Sequence, residues 1–213
     1  METAMTSPPK PGAFYMFISD IESDRPLCGM SFDNLRQLLS PSCVNLRPYE
    51  GGFPSMLEQP RMTYDPGAGP EPRDLEEGFG GYWLVSERLR DVMCSVDPGA
   101  FAFVEVDCRL ADGTQGPRRF LCDVVRELDA LDEAASRLKI KVDGEYVRGK
   151  FYSLGGGASL AFRSDVLGAS HVFRVPFNPS VFCDRTFKAA LHDAGISEDA
   201  EVSGISFIDA SDL

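Results

Sequence analysis

Histidine and clustered cysteine are scarce in this chain, and each shortage excludes a chemistry. Only two histidines, His171 and His192, occur among 213 residues. The two histidines are isolated, and no cysteine lies near either of them in sequence, so a Cys/His nucleophile has no local support. No serine occupies a Gly-x-Ser-x-Gly elbow. The six cysteines, Cys28, Cys43, Cys94, Cys108, Cys122 and Cys183, are spread without a Cys-x-x-Cys spacing. Zinc sites need clustered ligands, and disulfide frameworks belong to exported chains. Cys94, Cys108, Cys122 and Cys183 sit among apolar neighbours and read as buried free thiols. Gly155-Gly156-Gly157 is the one Gly-rich loop; it lacks the Gly-Lys-Ser/Thr ending of a phosphate loop, and strand-like sequence follows it, so it reads as a flexible turn. No apolar run approaches the ~18 residues of a membrane span. Residues 1–12 are polar and proline-rich, without the basic start and apolar core of a secretion signal, so cytoplasmic residence is the expectation. No cofactor or metal is implied.

Positive charge is also in short supply. There are 33 acidic residues against 21 basic ones, a formal net charge of −12. Nucleic-acid binding relies on Lys and Arg displacing counterions from phosphates, so this chain carries the wrong sign for it. Anionic membrane surfaces are disfavoured for the same reason. A basic protein partner is favoured, since complementary fields speed its capture. The competing reading is an acidic surface that simply keeps the protein soluble.

What is present is ordinary globular material, 43% hydrophobic and 25% charged. Residues 13–18 suit a buried strand. Ser31 is positioned to cap a helix carrying Phe32, Leu35, Leu38 and Leu39, with Pro41 as its stop. Six prolines and six glycines then crowd residues 48–80. That density argues against regular elements and for a wrapping loop, tethered by Phe53, Met56, Leu57 and Met62. It is the candidate boundary between an N-terminal subregion, 1–80, and a core domain, 81–213, with one compact domain made of both as the alternative. Ser86 caps a second helix, whose Leu89, Val92, Met93 and Val96 share one face and which Pro98 and Gly99 end. Strands over 101–106 and 118–126 follow, joined through Asp112-Gly113. Further on come a short helix at 129–137 and a hairpin about Asp143-Gly144-Glu145, its strands at 138–142 and 146–154. Strands at 158–163 and 171–177 follow, and the last helix is capped by Asp184 and stopped by Gly195. An edge strand occupies 204–208. The fold class is α+β: a mostly antiparallel, twisted sheet with a few packed helices.

Three separated strings resemble one bacterial family in the same order. They are the run from Tyr82-Trp83-Leu84-Val85 to Asp91, Cys122-Asp123-Val124-Val125 with Leu128-Asp129-Ala130-Leu131-Asp132-Glu133, and Gly155-Gly156-Gly157-Ala158-Ser159-Leu160. The family is the eleventh immunity-protein family of bacterial polymorphic toxin systems, and the likeness spans roughly residues 80–209. It implies a cytoplasmic inhibitor, not an enzyme, that binds and neutralises a cognate toxin domain. It brings no catalytic residues. A basic nuclease is the first expectation for that toxin, because nucleic-acid enzymes carry surfaces an acidic inhibitor can cover. Two other classes stay open: an enzyme of unassigned chemistry, and an acidic regulatory module without a toxin. The oligomeric state is not set by these residues.

One cluster of acids bears on this reading. If the strands about 101–109 and 118–126 pair around a turn centred near Thr114, Glu105 lies opposite Asp123, with Asp107 two residues along on the same face. Cys108 and Cys122 would then also approach each other, which admits an oxidation sensor. Facing carboxylates repel, so the cluster needs an answering cation. It is either a solvated face relieved by Arg109, Arg118 or Arg119, or a docking surface for a basic toxin extended by Asp129, Asp132 and Glu133. A third reading is an oxygen-ligand site for Mg²⁺ or Ca²⁺. A register slip of one residue dissolves it.

Overall fold

The computed structural model describes residues 8–20, 27–39 and 45–213, so Pro41 and Cys43 lie outside the described residues. In chain order the elements begin with strands β1 (Phe14–Ser19), β2 (Met30–Phe32), β3 (Arg61–Tyr64), β4 (Leu75–Phe79) and β5 (Tyr82–Ser86). Helix α1 (Glu87–Val96), β6 (Phe101–Leu110), β7 (Arg119–Val124), β8 (Lys139–Val142) and β9 (Lys150–Ser153) follow. The chain ends with a one-turn α2 (Ser164–Leu167), β10 (Val172–Val175), β11 (Asn178–Asp184), α3 (Arg185–Asp193), a one-turn α4 (Ala200–Ser203) and β12 (Ile205–Asp209). Strands dominate and pair mostly antiparallel, which is the α+β class read from the sequence. Contacts group the chain into two units. The first takes the described residues up to Ile18 with Arg126–Ala190 and Phe207–Leu213; the second takes those of Ser19–Val125 with Leu191–Ser206.

The second unit is built on a six-stranded sheet ordered β2-β3-β6-β7-β5-β4. Its α1 forms as its residues require. The Ser86 hydroxyl accepts the Leu89 N–H at 3.2 Å, Leu89 and Met93 are buried, and Pro98 follows the last turn. One sheet face contributes Tyr82, Leu84, Val106, Cys108 and Leu121 to a core shared with Met30, Leu38, Leu46, Met62 and Phe79. At about 25 cal/mol per Å² of apolar area removed from water, this face is a main source of the unit's stability.

Two expectations in this unit are corrected. The helix capped by Ser31 does not form: Ser31 lies in β2 opposite Thr63, and only a 3-10 turn, Leu35–Gln37, remains. Asn34 accounts for this. Its side chain accepts the Arg61 N–H at 2.9 Å and donates to Glu58 and to the Gln59 carbonyl, tying the segment to residues 58–61. Residues 48–80 also hold regular structure, namely β3 and β4. Their prolines sit outside the ladders, so no strand hydrogen bond is lost, and the Pro60 carbonyl accepts the Asp107 N–H at 2.9 Å. Phe53, Met56 and Met62 do pack on the core, whereas the Leu57 side chain points outward.

The first unit has a four-stranded sheet ordered β10-β11-β1-β12, with β12 at its edge as expected, and the separate hairpin β8-β9. Its core is aromatic: Phe14, Phe162, Phe173 and Phe182 meet with ring centroids 5.0–6.3 Å apart. Asp184 caps α3 through the Phe187 N–H at 3.0 Å, although α4 still follows it. Residues 129–137 form a turn instead of a helix, because bridges Leu131–Phe162 and Arg137–Ser159 hold both ends extended. Residues 158–163 make those isolated bridges and no continuous ladder. The β8-β9 loop runs longer than expected: Asp143 N–H meets the Gly149 carbonyl, so the returning strand starts at Lys150 and not at Tyr146.

Candidate docking surface

The acid cluster expected on β6 and β7 depends on register, and the register is different. Ala102, not Glu105, faces Asp123; Glu105 faces Phe120. The turn tightens about Asp112 and Gly113, because the Asp112 carboxylate accepts the Thr114 N–H at 2.9 Å and its hydroxyl at 2.6 Å, and Gly113 takes φ +82°. The pairing therefore moves by an odd number of residues, and an odd move turns side chains to the opposite sheet face. Asp123 lies on the core face, whereas Glu105 and Asp107 lie on the other. Cys108 pairs with Met62 and Cys122 with Phe103 and Trp83, so the register also separates the two thiols. Both are buried, and burial pushes the Cys108 thiol up.

Within the second unit the three acids have separate roles. Glu105 is exposed and accepts Arg118 Nε at 2.9 Å, a bond that holds its carboxyl below the ordinary value. Arg118 also pairs with Glu87. Asp107 accepts Arg109 Nε at 2.8 Å and Arg61 Nε at 3.4 Å, which lower it likewise. Asp123 is 1% exposed. Its two oxygens take Arg47 Nε at 3.0 Å and the Gly52 N–H at 2.6 Å. Of the cations expected to answer the cluster, Arg109 and Arg118 do so. Arg119 instead reaches the carbonyls of Arg73 and Pro72.

The first unit carries the other three acids. Asp129 is exposed, and its carbonyl accepts Arg163. Asp132 is buried and accepts the Ala134 and Ala135 N–H groups, each at 3.0 Å, so it shapes the turn. Glu133 is exposed, accepts the Lys150 ammonium and the Tyr152 hydroxyl (the latter at 2.6 Å), and is lowered by both. Among the described residues no group of three or more His, Cys, Asp or Glu is placed to hold a metal. His171 Nδ1 lies 2.8 Å from Asp184, and His192 lies in the last turn of α3.

Sequence reasoning missed how residues 45–60 are fastened. The Tyr82 hydroxyl donates to the Leu46 carbonyl at 3.0 Å and the Gly52 carbonyl at 2.8 Å. Phe53 stacks on the Tyr82 ring at 4.3 Å. The Leu57 N–H reaches the Leu38 carbonyl at 2.9 Å, and Gln59 Nε2 reaches the Glu105 carbonyl at 3.3 Å. A second network, centred on buried Asp74 and Glu76, holds the chain before β4: Arg73 pairs with Asp20 at 2.9 Å and Glu76 at 3.0 Å, and Asp74 accepts Arg88 Nε at 2.7 Å and the Ser86 hydroxyl at 2.6 Å. The only sequence signal was composition, acids and arginines scattered among prolines.

Residues 13–212 match the family described as Immunity protein family (Imm11). The match takes in the N-terminal segment as well as the three strings noted above. No curated protein matches the chain.

Proposed function

The chain belongs to the Imm11 immunity protein family, and from that premise we propose that it binds a cognate polymorphic toxin domain and blocks it by covering the toxin's active surface. The toxin-immunity role comes with the family; the partner's chemistry is inferred from charge. A net charge of −12 selects a basic partner, with a nuclease first among such toxins, and disfavours nucleic acid or membranes as direct ligands. Inhibition is by occupancy in the cytoplasm, with no catalytic step and no cofactor.

Of the six acids considered, Glu105, Asp107, Asp129 and Glu133 present carboxylate surface for docking. Asp123 and Asp132 are buried, each within its own unit, and fix backbone instead. Exposed acids raise the encounter rate, and packed apolar anchors then slow release. Family membership over nearly the whole chain is the observation that carries this reading. The test is co-expression with the product of the adjacent gene. The expected result is a stable complex and restored growth; normal growth of unprotected cells making that product would sink the idea.

A further inference from the structure

Among the described residues, Leu27, Leu35, Val125 and Val202 are exposed singly, whereas two short segments each expose a pair of large apolar side chains, and of those two segments one suits a basic partner. Val142 and Val147, 79% and 76% exposed, sit on the β8-β9 hairpin beside Lys139, Lys141 and Arg148. The hairpin loop is held by bonds within itself, among Asp143, Tyr146 and Gly149. Tyr49 and Leu57, 61% and 66% exposed, sit instead on the segment 45–59, each next in sequence to an exposed acid, Glu50 and Glu58.

That segment lacks a ladder of its own, yet its backbone is fixed at both ends and in the middle. Asp123 grips Arg47 and Gly52 from the core face of the sheet, Tyr82 holds the Leu46 and Gly52 carbonyls, and Phe53 is stacked down. The outward placement of Tyr49 and Leu57 is therefore a consequence of buried contacts on either side of them. A surface whose backbone is ordered beforehand loses less conformational entropy on binding. Tyrosine is also among the side chains that most often dominate interface energy.

We propose that residues 45–59 form the docking loop of this protein. In it Tyr49 and Leu57 are the apolar anchors, and Glu50 and Glu58 form the acidic rim for a toxin surface that presents lysines and arginines around an apolar depression. The proposal rests on the toxin-binding reading above and names its contact site. Charge complementarity selects this loop over the lysine-flanked hairpin.

The test uses the full chain and the purified toxin domain encoded by the adjacent gene. Hydrogen exchange, measured for the chain alone and in the complex, is expected to show new protection over 45–59 and none over 139–150. Tyr49→Ala and Leu57→Ala are each expected to weaken binding about tenfold, while Val142→Ala and Val147→Ala leave it unchanged. All four should keep the melting temperature of the parent, since the side chains are exposed. A complex that forms with no added protection over 45–59, or that tolerates both anchor substitutions, overturns the loop assignment and leaves the toxin-binding reading standing. Absence of any complex with the unsubstituted chain removes both.

Discussion

The two units bury different things. The first is held by aromatic packing, with Phe14, Phe162, Phe173 and Phe182 in mutual contact and Phe17 against Phe187 and Phe207. The second adds charge to its core: Asp123 with Arg47, and Arg73 with Asp20 and Glu76, while the buried Asp74 is answered by the exposed Arg88. The difference follows from what each must fasten. Ring packing suffices for strands that already hydrogen-bond to each other. A proline-rich segment leaves backbone groups unpaired, and buried carboxylates and arginines supply the missing partners.

Truncation should separate the two modes. Phe173→Ala removes a fully buried ring from the first unit and is expected to cost about 3–5 kcal/mol, read from the denaturant midpoint. Asp123→Ala strands Arg47 and the Gly52 N–H, and should cost about 3 kcal/mol, because removing one partner leaves the others desolvated. Asp123→Asn should recover part of that loss, since an amide oxygen still accepts. If Asp123→Ala were neutral, the contrast between the units would collapse. Tyr82→Phe keeps the stacking on Phe53 and removes only the hydroxyl, so about 1–2 kcal/mol is expected.

The smallest effect concerns an exposed pair. Arg118 holds the Glu105 carboxyl below its ordinary value. A depressed carboxylate contributes stability that is present above the unfolded value of about 4.3 and is lost as pH falls through the lower folded value. Arg118→Met should therefore raise the Glu105 titration midpoint, followed by carbon-13 NMR, without a measurable change in melting temperature at pH 7.

Legibility in the sequence tracked how local each determinant was. Ser86 and Asp184 were read as caps because capping is settled within four residues, and the helices they start were read with them. The strand pair β6-β7 was also legible from its apolar runs and Asp112-Gly113. Its register was not, because a hydrogen bond from the Thr114 N–H to the Asp112 carboxylate decides where the turn closes. That one detail sent Asp123 to the core face and broke up the expected cluster of acids. Ser31 failed as a cap because Asn34 bonds Arg61, Glu58 and Gln59, distant in sequence. The strands at β3 and β4 were hidden by neighbouring prolines that lie just outside them.

The most direct test of occupancy by charge is the association rate with the purified toxin domain, followed by stopped flow as sodium chloride is raised from 50 to 500 mM. Steered capture by an acidic inhibitor requires the rate to fall steeply over that range while the dissociation rate changes little. A rate that stays flat, or no association at the lowest salt, would contradict it.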